Sequence, residues 1–151
     1  MLLEPSRAYA LDRLAAFIPQ AGRAYAAGRN VDQGSGRHDR VSMLSPYVRH
    51  RTITESEIAA AVLATHSANA AEKFLQEVCW RTYWKGWLEQ RPSVWRNYRR
   101  GIATAHAELT ATEESDYQAA IAGKSGIACF DAWVNELIAT GYLHNHARMW
   151  F

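Results

Sequence analysis

The sequence predicts an all-α protein, and three observations predict it. Apolar residues recur at three- and four-residue spacing through most of the 151 residues. No segment alternates apolar and polar residues convincingly enough to read as a strand. The helical stretches are bounded by helix punctuation: a Thr54/Glu57 capping box, Pro92 after the longest apolar stripe, and Gly141 where another stripe ends.

Each element follows in order. Residues 6–27 place Leu11, Leu14, Phe17, Ile18 and Tyr25 at helical spacing, with an interruption near Pro19. Residues 28–43, GRNVDQGSGRHDRVSM, are Gly-rich, polar and charged and read as a long ordered loop; inside a compact domain such loops are usually functional or disordered. Thr54 opens an Ala-rich helix to about residue 65. The strongest helix covers about 69–90, with Phe74, Leu75, Val78, Trp84, Trp87 and Leu88 on one face before Pro92. The run RPSVWRNYRR then reads as a short basic turn. Helices over about 113–122 and 128–140 follow, separated by a break at GKSG, and the second stops at Gly141. No internal repeat or low-complexity tract is visible.

Length and composition bound the function classes. The chain is one domain's worth, and 48% hydrophobic with 21% charged residues is a globular rather than a disordered balance. Six Trp and seven Tyr are many for this length. A net charge of +2 says little about partners, although the cations are nearly all Arg, with Lys only at 73, 85 and 124. Cys79 and Cys129 lie far apart inside apolar helical patterns and are expected to be free, buried and inert, as in a reducing compartment. No leader pattern opens the sequence and no 18-residue apolar run occurs, so neither a signal peptide nor a membrane span is expected, and the location expected is cytoplasmic.

Three segments carry chemistry. The loop running into SMLSPYVR offers Ser hydroxyls and backbone N–H groups ahead of a helix, a setting that suits a phosphate or pyrophosphate; Ser-Pro opens ordinary helices too. In EVCWRTYWKGW, residues Glu77, Trp80, Arg81 and Trp84 stand at offsets of three and four and can line one surface. A carboxylate and an Arg beside two indoles suit a flat ligand; a Glu77–Arg81 ion pair with the Trp residues in the core accounts for the same spacing. The closing TGYLHNHARMWF crowds Tyr142, His144, Asn145, His146, Arg148 and Met149 together. Its two His are separated by one residue, without a Cys or Glu cluster, so no metal site is expected.

In this order and spacing the segments resemble the FAD-binding domain of the DNA photolyase and cryptochrome family. VSMLSPYVR is similar to that family's T-S-x-L-S-P-Y-L, and FLQEVCWRTYW to its E-L-x-W-R-E-F-Y. GKSGIACFDAWVNELIATGYLHNHARM is similar to G-x-T-G-x-P-x-V-D-A-x-M-R-x-L-x-x-T-G-W-x-H-N-R-x-R-M, and Tyr25 followed by Arg29 fits a Y-x-x-x-R element. The matches run over about residues 25–149, with a poorly matched stretch at about 93–118.

The resemblance implies a set of roles. Tyr25 and Val41, Ser42, Met43, Leu44 and Ser45 would hold the FAD phosphates, with hydroxyls from Ser42 and Ser45 and backbone from Leu44. Arg81 would contact the cofactor, and Asn145 and Arg148 would sit near the flavin, where a cation balances the charge of reduced FAD. Glu77, Trp80 and Met149 match positions facing a pyrimidine dimer flipped from the duplex, Trp80 as stacking partner and Glu77 as hydrogen-bonding acid. Trp84 shares their surface. Arg29, Asn145 and His146 match places near the DNA backbone, and Arg91, Arg96, Arg99 and Arg100 add either phosphate attraction or a solvated face.

Departures from the family pattern accompany the matches. A relay Trp is expected near residue 110, where Thr110 stands. Tyr142 stands for a Trp, Asn135 and His146 for Arg, Ala128 for Pro, and Val41 for a hydroxyl-bearing Thr. The family's antenna domain and the later half of its flavin domain have no counterpart, so the expectation is a partial flavin domain with an open apolar face that takes a missing half or a second copy; Trp133, in place of a small residue, could fill part of such a gap. Three functions are expected in turn: a light-driven DNA-repair flavoenzyme or part of one, a cryptochrome-like photoreceptor without repair, and a flavin-free helical module that binds DNA or protein.

Overall fold

The computed structural model describes residues 3–151, which hold eight α-helices and two 3-10 turns and, among the described residues, no strand. The chain divides into two compact units. Residues up to 33 and 37–83 form the first, and residues 34–36 and 84–151 the second.

The first unit begins with α1 (Arg7–Phe17), started by Ser6, whose hydroxyl accepts the Tyr9 N–H at 3.1 Å. Pro19 has no N–H to continue that ladder, and the chain tightens into a 3-10 turn at Ile18–Gln20 before α2 (Arg23–Gly28). A loop leads to α3 (Ser45–Arg49) and then α4 (Glu55–Leu63). The expected capping box opens α4: Thr54 N–H donates to Glu57 Oε2 at 2.8 Å, and Glu57 N–H to Thr54 Oγ1 at 3.3 Å. The long helix α5 (Ala68–Glu89) gives residues 68–83 to this unit.

One continuous core fills the first unit. Leu14 and Phe17 of α1, Tyr25 of α2, Ile58 and Val62 of α4, and Ala71 and Phe74 of α5 are all buried together with Leu44, Tyr47, Val48 and Ile53. Phe17, Tyr25 and Phe74 form an aromatic triad, with centroids 5.4 Å apart for Phe17–Phe74 and 5.1 Å for the edge-on Tyr25–Phe74 pair. Leu11, expected on the inner stripe of α1, is instead exposed.

The second unit takes residues 84–89 of α5, then α6 (Pro92–Glu108), α7 (Ala111–Ile121), α8 (Ala128–Thr140) and a 3-10 turn at Ala147–Trp150. The basic turn expected at RPSVWRNYRR is the first half of α6. Pro92 ends one helix and opens the next, because in the first turn a missing N–H leaves no bond unmade. None of the α6 side chains is buried, and Trp95, Tyr98 and Ile102 are exposed along one stripe. Thr110 caps α7 through a second capping box with Glu113. Gly141 ends α8 at φ 69°, the left-handed conformation of a C-terminal cap. Buried side chains here are Val134, Glu136, Leu143, His144 and Ala147.

Three burial expectations are corrected. Trp84 and Leu88 lie on the expected stripe of α5 but are exposed, since the stripe is covered only around Ala71 and Phe74. Cys79 is free and exposed, because it follows half-buried Val78 by one residue and so turns about 100° away from the covered face. Cys129, in the first turn of α8, is likewise free and exposed, being far around the helix from buried Val134.

The α4 cap carries a pH signature. Arg7 Nη2 donates to Glu57 Oε1 at 2.5 Å, and this bond together with Thr54 holds the Glu57 carboxyl at about 2. A carboxyl depressed in the folded state stabilises fully above its ordinary value and loses that contribution as pH falls through about 2. Glu57→Gln is expected to lower the thermal midpoint at pH 7 and to flatten its acid-side fall. A fall between pH 4.5 and 2 as steep as that of the parent would refute this assignment.

Candidate functional site

The first unit brings Tyr25, Arg29 and Glu77 into one cluster. The Tyr25 ring is locked in the aromatic triad, so its hydroxyl points to a fixed place at the edge of the core. Arg29, one turn further along the same stretch of chain, hydrogen-bonds that hydroxyl and pairs through Nη1 with Glu77 Oε1. The Glu77 hydrogen bond raises the Arg29 pKa above its ordinary value. Burial first, and then the Glu77 charge, push the Tyr25 phenol up, so it stays protonated while Arg29 pulls the other way. The expected alternative partner of Glu77, Arg81, lies elsewhere: its Nε is 3.9 Å from Glu55 Oε1, which also accepts from Thr82 Oγ1 at 3.3 Å. A helix offers the i,i+4 pair, but the chain reversal after α2 offers Glu77 a better-buried cation.

Trp80 stands one turn beyond Glu77 on α5, 46% exposed and edge-on to Tyr83 at 5.3 Å. A half-exposed indole next to a carboxylate presents a flat face and a hydrogen-bond acceptor from a single helix surface.

The stretch Val41 to Ser45 sits at the mouth of α3. Met43 is buried with φ 54°, a left-handed conformation that costs a non-glycine residue about 1 kcal/mol. Leu44 N–H donates to Ser42 Oγ at 3.3 Å, and Ser45 is exposed. Arg13 of α1 donates from Nη2 to the Ser42 carbonyl at 3.3 Å, while its Nε is buried without a hydrogen-bond partner. Two Ser hydroxyls, an exposed turn and an unsatisfied guanidinium donor form a donor set that fits a phosphate ester.

The second unit holds the other expected residues. Asn145, Arg148 and Met149 are exposed, Met149 at 77%, and His146 is half-buried. The segment closes in the 3-10 turn Ala147–Trp150. It is organised by His144, which is buried, whose Nδ1 accepts the His146 N–H at 3.2 Å and whose carbonyl accepts the Arg148 N–H at 3.1 Å. Among the described residues no group of three His, Cys, Asp or Glu could hold a metal ion. Trp84 opens this unit on α5, edge-on to Trp87 at 5.5 Å.

Residues inside the motifs also turn out to build the scaffold. Asp131 accepts from the Ser125 hydroxyl and N–H, both at 2.7 Å, and from the Gly126 N–H at 3.0 Å, which pins the GKSG turn. The Ser125 hydroxyl is the main cause of its depressed carboxyl pKa. Glu136, not singled out from the sequence, is buried and accepts the Gly36 N–H at 2.8 Å, within the second unit. Its signal was an acid between Val134 and Leu137 on an apolar helix.

The all-helical fold and these motif-bearing segments define a flavin-binding helical domain, and the comparisons give its family. Residues 74–151 match the family described as the FAD binding domain of DNA photolyase. The deoxyribodipyrimidine photo-lyase of Thermus thermophilus is 32% identical over 148 residues, which cover 98% of this chain and 34% of that protein. The deoxyribodipyrimidine photo-lyase of Alkalihalophilus pseudofirmus is 27% identical over 143 residues, 93% of this chain and 28% of that protein. A crystal structure of a bacterial class III photolyase from Agrobacterium tumefaciens matches with a TM-score of 0.73 at 25% identity, over 96% of this chain and 30% of that one. The chain belongs to the DNA photolyase family, through its FAD-binding domain, and FAD is the cofactor that domain binds. It spans about a third of the length of these relatives.

The Arg29–Glu77 pair is expected to be a true coupling rather than a surface coincidence. A double-mutant cycle of Arg29→Ala and Glu77→Ala, read by urea unfolding, should give an interaction energy of about 1 kcal/mol, scaled for a half-exposed pair. Additivity of the two single changes would remove the pair as a stabilising contact.

Proposed function

We propose that this chain is part of a light-driven DNA-repair flavoprotein acting on pyrimidine dimers, and that the Tyr25–Arg29–Glu77 cluster beside Trp80 is the observation that carries it. Glu77 would accept a hydrogen bond from a pyrimidine N–H while Trp80 stacks on the flipped base; Met149 would be a further dimer-facing residue. Arg29 pairs with Glu77 and would add positive charge toward the DNA backbone; Asn145 and His146 would be polar contacts to DNA, and Trp84 would offer further aromatic surface. Tyr25, Val41, Ser42, Met43, Leu44 and Ser45 would hold the FAD phosphates; Arg81, Asn145 and Arg148 would stand near the flavin. The chemistry supplied by bound FAD would be electron donation to the dimer from its reduced state under light.

Supporting this reading, the relatives at 32% and 27% identity are named deoxyribodipyrimidine photo-lyases. Position 110 weighs against a cryptochrome-like photoreceptor that relies on an aromatic relay there: Thr110 is a helix cap, and a Trp could not replace its hydroxyl. A helical module that binds a partner protein or a second copy has its own supporting observation in the exposed stripe of α6. Two free cysteines and the lack of any helix long and apolar enough to cross a membrane, among the described residues, accord with a cytoplasmic location.

The test is dimer recognition by the 151-residue chain after loading with FAD. The purified protein should take up FAD, identified by its absorption and by release on denaturation, and should prefer an oligonucleotide containing a thymine dimer to the undamaged strand. Trp80→Ala should keep the flavin and lose about ten-fold or more of that preference, the worth of one base stacked on an aromatic ring. Equal dimer binding by parent and Trp80→Ala would overturn the role of Trp80. A chain that takes up no FAD would rule out a light-driven role for it.

The α6 stripe gives a separate expectation. Sedimentation should show self-association that rises with protein concentration and disappears in Trp95→Glu/Tyr98→Glu. A parent that stays monomeric throughout would eliminate self-association through this face.

A further inference from the structure

Arg13 belongs to none of the motifs quoted from the sequence, and its surroundings ask for an anion. It projects from α1 and donates one bond, Nη2 to the Ser42 carbonyl at 3.3 Å. Its Nε is buried without a partner. The centre of its guanidinium is 6.0 Å from the Tyr9 ring, so aromatic surface rather than water covers part of it. Among the described residues it forms no ion pair.

The neighbouring groups do not supply a counter-charge. Tyr47 is neutral, with its hydroxyl donating to the Glu4 carbonyl at 3.0 Å, and the Glu4 carboxylate takes the Ser6 hydroxyl at 2.8 Å. A guanidinium has five N–H donors in a fixed fork, and leaving a part-buried one short of acceptors is unfavourable. A cation kept short of acceptors and bonded to the backbone of Ser42 reads as a site awaiting negative charge.

We propose that Arg13 is a phosphate-holding residue of the FAD site, directing its unused N–H donors at the pyrophosphate held by Ser42 and Ser45. This rests on the reading of residues 41–45 as the phosphate-holding stretch. The guanidinium matches a phosphate in shape as well as charge, because its parallel donors can meet two oxygens at once. The Ser42 carbonyl fixes one edge of the fork, which orients the rest. Arg13 therefore does for the phosphates from α1 what no residue of the recognised motifs does with a formal charge: the Val41 to Ser45 stretch itself is uncharged.

The alternative is that Arg13 only tethers the loop to α1. The two accounts differ in how binding responds to salt, since a direct cation–phosphate contact is screened and a tether is not. The experiment measures the affinity of the 151-residue chain and of Arg13→Gln for FAD and for ADP over a range of ionic strength, together with the ligand-free melting midpoint. The proposal expects Arg13→Gln to bind both about ten-fold or more weakly, with a shallower salt dependence and an unchanged ligand-free midpoint. Arg13→Lys, which keeps the charge without the fork, should fall between and retain the salt dependence. Unchanged affinity in Arg13→Gln overturns the proposal, and so does weaker binding with an unaltered salt dependence or a lowered ligand-free midpoint, the marks of a tether. A parent chain that binds neither FAD nor ADP overturns the phosphate-site reading itself and Arg13 with it.

Discussion

The contact among Phe17, Tyr25 and Phe74 is the constraint on which the first unit depends. It locks α1, α2 and α5 together within the core, with the Tyr25 ring edge-on to both phenylalanines. Because the ring cannot turn, its hydroxyl is fixed, and Arg29 and Glu77 take their places from it. The candidate chemistry thus grows directly out of the hydrophobic core rather than being carried on a flexible loop. A shift of Phe74 would move the polar cluster with it.

Much of the helical framework was legible in the residues. Two capping boxes share one grammar, a Thr followed three residues later by Glu; at Thr54 an apolar Ala-rich run makes it legible, whereas at Thr110 the family pattern draws the eye to a missing Trp instead. Gly141 was readable because a C-terminal cap demands a left-handed residue. The error at α6 has a plain cause: a Pro and four Arg in ten residues look like a turn, yet Pro fits the first turn of a helix and Arg is a good helix former.

The site was less legible than the framework, for reasons of distance along the chain. A helical offset reveals Glu77 and Arg81 as possible partners, but nothing local reveals Arg29, 48 residues away. The same holds for Arg13 on Ser42 and for Glu136 on Gly36, which are separated by 29 and 100 residues. Periodicity also says that a face is apolar without saying what covers it, which is why Trp84 and Leu88 were expected inside and are found outside. Motif matching has the complementary blind spot. It marks Asp131 as a family position without distinguishing a ligand contact from the structural task seen here, the pinning of the GKSG turn.

The bare surfaces of α6 and α7 have a consequence for the order in which this molecule comes apart. Neither helix buries a single side chain, and α7 is held at its start by a cap and along its length by contacts such as Tyr117 edge-on to His106 at 4.9 Å. Helices without burial open at a free-energy cost close to that of fraying. Their amides should therefore exchange with solvent long before those of the Phe17–Tyr25–Phe74 region, and a protease should find residues 92–121 first. A partner that covered that stretch would also protect it against degradation.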